Sequence, residues 1–349
     1  LPQLPQRRGS TPAYLIFNLS LLQPMSIYSQ FAAAKINLTL AVLGRRHDGY
    51  HELRSLIVFA DIGDQLTLDT ERPVGVSVAG PFAHALDGEN LVAKALALVQ
   101  ANYPQARLGH VDLQKNLPVA AGIGGGSADA AAALRLIARA NDPDLAATID
   151  WQRQALALGA DVPVCLAGIP AMVSGLGDVV APLGSFPELP AILVNPQVRV
   201  PNDKTASIFR ALAAPLCSPQ ELAAKRAEAA RAEAAAKSLS MERRLTLVEA
   251  VTRIGRERND LQPICQQLIH AIGDVIAALE NSGGCRLARL SGAGPTCFGL
   301  YESAEAAAEA AAELAGAHPS WWVRAVALRG CGPGWDVGSR EVIPPARND

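Results

Sequence analysis

Gly122-Ile-Gly-Gly-Gly-Ser127 is the segment whose residue types most directly imply chemistry. Four glycines in five positions remove the Cβ atoms that would hold backbone N–H groups away from an anion. The Ala-rich run that follows reads as a helix, whose N-terminal end adds partial positive charge at the same point. Together they make a phosphate cradle. No Lys-Ser or Lys-Thr follows the last glycine, so the loop is not a Walker A motif, and Pro118 with the Ala-rich helix fits the dinucleotide fingerprint poorly. The alternative is a tight turn that lets a helix pack closely. Nearer the N-terminus, Lys35, Asn37, Thr39 and Ala41 alternate with Ile36, Leu38, Leu40 and Val42. A half-buried strand there presents an amine and an amide on one polar face; on an edge strand the same lysine would simply face solvent. Asp161, in Gly159-Ala-Asp-Val-Pro-Val164, supplies a carboxylate that is ionised at neutral pH when free. Its position after Gly-Ala equally suits a turn or helix-end aspartate.

The elements that must position these groups are read from periodicity. The strand around Lys35 runs to Leu43, and the polar loop Arg45–Glu52 follows Gly44. Ser55–Ala60, Asp64–Asp69, Val74–Val78 and Gly109–Lys115 read as strands, and Asn90–Ala101 as a helix with Leu91, Ala95, Leu98 and Val99 on one face. The Ala-rich helix stops near Asn141-Asp-Pro143, and a helix at Trp151–Leu158 leads into the Asp161 segment. Ala191–Asn195 is a strand and Pro263–Asn281 a helix. Ala288–Tyr301 reads as strand, glycine loop and strand, then Ala304–Ala317 as a helix and Trp322–Leu328 as a last strand. Between Glu221 and Arg258 a polar, Ala-rich stretch places Glu221/Lys225 and Glu233/Lys237 one turn apart, as on a solvated helical hairpin. The irregular alternation implies an α+β chain of two domains, 26–190 and 191–330, with the active site in the cleft between them and the hairpin 220–258 inserted in the second. Residues 1–25, with Arg7-Arg8 ahead of the apolar Tyr14–Leu22, are expected to be an extension or artefact outside the fold, so a chain starting at Met25 should stay soluble and active. The Gly- and Pro-rich tail 331–349 is expected to be loosely held.

Composition narrows the function classes. Of 349 residues, 50% are hydrophobic and 18% charged, enough to build a sizeable core, which excludes wholesale disorder. Lys and Arg number 31 against 33 Asp and Glu, so the net charge of -2 provides no field for nucleic acid or an anionic membrane. Aromatic residues at 5% argue against a stacking platform for single strands. The six cysteines lie scattered, without Cys-x-x-Cys or nearby histidines, and read as buried thiols in a reducing cytoplasm rather than a zinc site or disulfide framework. No apolar run reaches the roughly 20 residues that span a bilayer.

The segment Pro118-Val-Ala-Ala-Gly-Ile-Gly-Gly-Gly-Ser-Ala-Asp-Ala130 resembles the ATP loop of the GHMP kinase superfamily, and Ala34-Lys-Ile-Asn-Leu38 and Leu290-Ser-Gly-Ala-Gly-Pro-Thr-Cys297 resemble its other motifs in order. Asp48-Gly-Tyr-His-Glu52, Leu158–Val164 and Asn259-Asp-Leu-Gln262 are similar to elements of its 4-diphosphocytidyl-2-C-methyl-D-erythritol kinase family. The resemblance spans about residues 30–330. It implies a ribosomal-protein-S5-like N-terminal domain, a ferredoxin-like C-terminal domain, and ATP-dependent phosphorylation of the 2-hydroxyl of a cytidine-diphosphate-linked methylerythritol in the non-mevalonate isoprenoid pathway.

Residue by residue, the resemblance implies Asp161 as the base and Lys35 as its electrostatic partner. It implies Pro118, Ala120, Ala121, Gly122, Ile123, Gly124, Gly125, Gly126 and Ser127 around the ATP phosphates, with Asn90 and Leu91 beside the nucleotide. Asn37, Tyr50, His51, Phe209, Gly292, Ala293 and Gly294 are implied for the substrate, the aromatic rings for the cytosine base. Phe209 reads equally as a core aromatic at a helix start. Mg2+ is expected to be held mostly by ATP and water, with the Ser127 hydroxyl contributing; Ser127 also suits a helix N-cap. The partner is a small molecule, with no nucleic acid or membrane, and the chain is expected to be a monomer or weak homodimer in the cytoplasm. Alternatives are a small-molecule kinase of the homoserine or mevalonate type, or a non-catalytic nucleotide-binding homologue.

Overall fold

The computed structural model describes residues 26–329 apart from 87–89, 184–185, 202 and 242–244; the expectations for the N-terminal extension and the tail lie outside the described residues. Strands β1 (Ile27–Asn37), β2 (Ala41–Arg45), β3 (His51–Asp69) and β4 (Gly75–Ala79) come first. Helix α1 (Leu91–Asn102), strand β5 (His110–Gln114) and helices α2 (Gly125–Ala140), α3 (Pro143–Thr148), α4 (Trp151–Leu158) and α5 (Val162–Ala167) follow. A hairpin of β6 (Ala171–Gly175) and β7 (Val179–Pro182) leads to β8 (Leu189–Asn195) and helices α6 (Lys204–Leu212), α7 (Pro219–Met241) and α8 (Leu247–Arg256). The last described elements are α9 (Gln262–Leu268), α10 (Ala271–Glu280), β9 (Cys285–Leu290), β10 (Cys297–Tyr301), α11 (Ala304–Ala317) and β11 (Trp322–Arg329).

The described strands join one mixed sheet with β3 as its spine. β3 pairs antiparallel with β1, β2, β5, β6 and β11, and the sheet continues through β8 and β10 to β9. The two expected strands at Ser55–Ala60 and Asp64–Asp69 are therefore one element of 19 residues. Pairing with five partners overrides the local break that Ile62-Gly63 implies. Near that point the β1 register shifts between Ala33 and Lys35, and the Asp61 carboxylate accepts the Ala327 N–H at 3.0 Å where β11 joins. The same irregularity frees the Lys35 N–H, which donates to Ile123 O at 2.9 Å instead of to the sheet.

The expected strand from Lys35 to Leu43 is likewise two. β1 ends at Asn37, and Leu40 leaves the ladder to exchange hydrogen bonds with a distant segment: its N–H donates to Arg258 O and its carbonyl accepts from Asp260 N–H. Nor is its polar face open. Lys35, Asn37 and Thr39 are as buried as Ile36 and Leu38, because the glycine loop and the C-terminal half cover them. The single helix expected over Pro263–Asn281 breaks at Ile269, whose extended backbone separates α9 from α10. The β6–β7 hairpin was not legible, since its strands are only five and four residues long.

Helix α2 lies against β1 and β3. Its inner positions Ala128 and Ala130–Ala133 are fully buried, and side chains this small let the helix backbone approach the sheet closely. Leu134, Leu136 and Ile137 then fill the core, each adding about 2 kcal/mol of burial. The core also holds charge. Lys115, on the strand exit from β5, bonds the Asp64 carboxylate of β3 and, at 2.7 Å, Asp129 of α2. Asp64 further accepts the N–H groups of Asn116 and Leu117. Burial works against the ammonium, yet Asp129 and Asp64 together raise the Lys115 pKa. For Asp129, burial outweighs the lysine and pushes its pKa to about 8.

The sign of the pH dependence follows. A carboxyl whose folded pKa is raised contributes stability that is present below its unfolded value and lost as pH rises through about 8. The melting temperature is therefore expected to fall between pH 6 and 8 in the unsubstituted chain and to fall less in Asp129→Asn, which scanning calorimetry at several pH values measures. Lys115→Met, which removes the ammonium that Asp64 and Asp129 share, is expected to cost about 3–5 kcal/mol at neutral pH.

Candidate active site

The site forms where β1, the start of α2 and the start of α5 meet. β1 delivers Lys35, whose side chain is 5% exposed, and its Nζ lies 2.9 Å from Asp161 Oδ2. The same ammonium donates to Asn37 Oδ1 at 2.8 Å. Asp161 immediately precedes α5, but its carboxylate makes no capping bond and is 44% exposed, so it is turned to Lys35 and to solvent rather than spent on the helix end. Asn37 is held in turn. Its Nδ2 donates to Ser55 Oγ at 2.7 Å, and its N–H donates to Ser291 Oγ at 3.2 Å. Ser55 on β3 and Ser291 after β9 were not read as site residues; Ser55 is a single serine without a local motif to mark it, whereas Ser291 lies within the quoted Leu290–Cys297 motif, whose glycines alone were assigned to the site.

The glycine loop sits on this lysine. Gly124 is the N-cap of α2 with φ +65°, and a Cβ there would fall 3.0 Å from Lys35 Cε and 3.1 Å from Cγ. Any larger residue would displace the lysine. No side chain caps α2, so the N–H groups of Gly125, Gly126 and Ser127 face outward from the helix start. The N-cap reading of Ser127 is thus corrected: it is the third helical residue, because Gly124, in the left-handed conformation that glycine adopts without strain, takes the cap.

The C-terminal loop Gly292-Ala293-Gly294 closes against the first one. A Cβ on Gly122 would lie 2.7 Å from Gly294 N and from Ser291 O, so these backbones touch. Ser291 Oγ donates to Gly122 O at 3.1 Å, and Thr296 N–H donates to Ala121 O at 3.0 Å. Lys204, at the start of α6, ties both loops: its buried Nζ donates to Ala120 O at 2.8 Å and to Gly294 O. Burial lowers its pKa to about 8. Lys204 had no signal in the sequence, since no motif surrounds it.

The remaining positions divide. Asn90 caps α1, its Oδ1 accepting from Val92 N–H at 2.8 Å, and Leu91 lies beside Gly126. Pro118, Ala121 and Ile123 are buried and brace the loop from below, while Ala120, at φ +53°, is exposed. His51 stacks directly on Phe209 with centroids 4.7 Å apart, which brings β3 and α6 together. Burial, then the charge of Arg45, lower the His51 pKa, favouring the neutral ring that offers both a donor and an acceptor. Its Nε2 is buried without a partner. Tyr50 stands apart from that stack, 64% exposed at the loop tip. Among the described residues no cluster of three or more His, Cys, Asp or Glu is placed to hold a metal ion, and no helix is long and apolar enough to cross a membrane.

Comparison with known proteins places this geometry. The family model of the GHMP kinases N terminal domain matches residues 90–169, and that of the GHMP kinases C terminal domain matches 225–319. The chain is 43% identical over 303 residues to a 4-diphosphocytidyl-2-C-methyl-D-erythritol kinase of Roseobacter denitrificans, covering 85% of this chain and 92% of that one. It is 45% identical over 311 residues to the protein of that name from Methylobacterium radiotolerans, covering 87% and 100%. A crystal structure of a 4-(cytidine 5'-diphospho)-2C-methyl-D-erythritol kinase superposes with a TM-score of 0.63 at 30% identity, over 87% of this chain and all of the other. A homoserine kinase from Cytophaga hutchinsonii, at 19% identity and a TM-score of 0.61, shares the fold. With both family models matched and relatives this similar along most of their length, the chain belongs to the GHMP kinases, in the family of the 4-diphosphocytidyl-2-C-methyl-D-erythritol kinases.

Proposed function

We propose that this protein transfers the γ-phosphoryl group of ATP to the 2-hydroxyl of 4-diphosphocytidyl-2-C-methyl-D-erythritol, a step in isoprenoid synthesis. The observation that carries the reading is the convergence of Lys35, Asp161 and the start of α2: one ammonium lies 2.9 Å from the carboxylate and packs along Gly124. In the reaction the substrate oxygen forms a bond to the γ-phosphorus, the bond from that phosphorus to the β,γ-bridging oxygen breaks, and the hydroxyl proton passes to Asp161. Lys35 orients the Asp161 carboxylate and offsets the charge that builds on the phosphoryl oxygens, as outward N–H groups at the helix start do for the ATP phosphates. Mg2+ would supply further charge neutralisation. The α2 start carries no acidic side chain in its first turn, so the Ser127 hydroxyl is the protein group that fits the ion, the rest coming from phosphate and water.

Substrate selection falls to the other end of the site. The His51–Phe209 stack and the exposed ring of Tyr50 offer flat faces for a base, and the orphaned His51 Nε2 offers a hydrogen-bonding atom. We assign cytosine to this place. The free cysteines Cys165, Cys217, Cys265, Cys285 and Cys297 suit a cytoplasmic location.

ADP release with the cytidyl substrate, mevalonate and homoserine tests the assignment: turnover of the first alone is expected, and turnover of either other without it overturns the reading. Asp161→Asn is expected to lower kcat by about 10²–10⁴ while ATP binding persists, measured by steady-state kinetics and calorimetry. Tyr50→Ala is expected to raise KM for the cytidyl substrate about tenfold and leave KM for ATP unchanged; parallel loss of both would remove Tyr50 from the base site.

A further inference from the structure

The Ala-rich helix α7 has no part in the chemistry above, yet its first turns seize the strand that carries the base-binding residues. Glu52 follows His51 in β3, and strand alternation turns it to the opposite face. Its side chain is fully buried, and its carboxylate is gripped by both arms of one guanidinium: Arg226 Nε lies 2.5 Å from Oε1 and Nη2 lies 2.6 Å from Oε2. A bidentate pair of this kind fixes orientation as well as distance. Arg226 sits in α7, so the helix is joined through one ion pair to the residue beside His51.

The surroundings explain why this pair matters. The entry to α7 is laced to β2: Arg45 N–H donates to Pro215 O at 2.8 Å, and Cys217 N–H donates to Arg45 O at 2.9 Å. Lys225 donates to Leu43 O. A Cβ on Gly44 would fall 2.5 Å from Cys217 Sγ, so β2 and the segment before α7 are in contact. Beyond that contact the two diverge. A cavity of about 400 Å³, lined by Arg46, His47 and Asp48 on one side and Leu222 and Arg226 on the other, separates the loop tip from the helix. Across this cavity the Glu52–Arg226 pair joins α7 to β3, the far strand of the hairpin.

We propose that Arg226 is a positioning residue for substrate recognition: by clamping Glu52 it holds the start of β3 and so aims His51 and Tyr50 at the base. The inserted helix is then a brace for the nucleoside end of the cleft, independent of the ATP loop. The proposal rests on the assignment of Tyr50 and His51 to cytosine made above.

A double-mutant cycle tests it. Arg226→Gln, Glu52→Gln and the double variant, whose two amides can hydrogen-bond each other, are compared with the unsubstituted chain for KM of the cytidyl substrate, KM of ATP and kcat. Each single variant is expected to raise KM for the cytidyl substrate about tenfold, with KM for ATP and kcat within about twofold, and the double variant to stay within about threefold of the worse single. Additive losses, an unchanged KM for the cytidyl substrate, or a parallel rise in KM for ATP would overturn the role. Should Arg226→Gln fail to fold, Arg226→Lys keeps the charge without the fork and is expected to show an intermediate KM; a KM equal to that of the unsubstituted chain would overturn the role as well. Turnover of the cytidyl substrate by the unsubstituted chain is measured first: its absence sinks the assigned reaction, whereas turnover with a flat cycle sinks only this inference.

Discussion

A buried ammonium must be surrounded by acceptors, and Lys35 organises the site by that requirement. Removed from water to 5% exposure, it needs Asn37 Oδ1 and Asp161 to offset its desolvation. Asn37 in turn needs Ser55, and Ser291 from the far half of the chain. The methylenes of the lysine leave no room for a side chain on Gly124, which sets the residue at the cap of α2. One charge thus dictates a glycine, a carboxylate and an amide on three elements.

The second half of the protein closes onto this arrangement through backbone rather than side chains. The Gly294 backbone approaches Gly122 so closely that no Cβ fits on Gly122, and Lys204 binds a carbonyl from each loop. Continuous pairing of β3 with β11 and of β11 with β8 carries the same sheet through both halves. The two glycine loops are therefore held in register by a shared ladder below and a buried cation above. The charged cluster of Lys115, Asp64 and Asp129 anchors the first turns of α2, tying the helix just past its glycine cap to β3 and to the exit of β5.

Several elements differ from what periodicity implies, and always for a non-local reason. β3 runs through Gly63 because five strands pair along it; β1 stops at Asn37 because Arg258 and Asp260 capture Leu40. The polar face of β1 reads as solvent-facing in isolation, since nothing within ten residues of Lys35 reveals the loop that covers it. Ser55, Lys204 and Arg226 were invisible for the same reason. An isolated serine or a lysine at a helix start has many uses, and only its partner across the fold selects one.

What the chain carries locally is chemistry that depends on composition and order: a glycine run ahead of a helix, an amine and an amide two residues apart on one strand, and an aromatic–imidazole pair in a short polar loop. Those are properties of adjacent atoms, so they survive without coordinates, and with the motif order they pointed to the family. Convergence is a different kind of fact. That Asp161 lies 2.9 Å from Lys35, that His51 stacks on Phe209, and that Arg226 reaches Glu52 are settled by sheet pairing and helix packing between residues 126, 158 and 174 positions apart. Contacts of that separation are bought with the burial of the whole core, and no segment of the sequence holds that information alone.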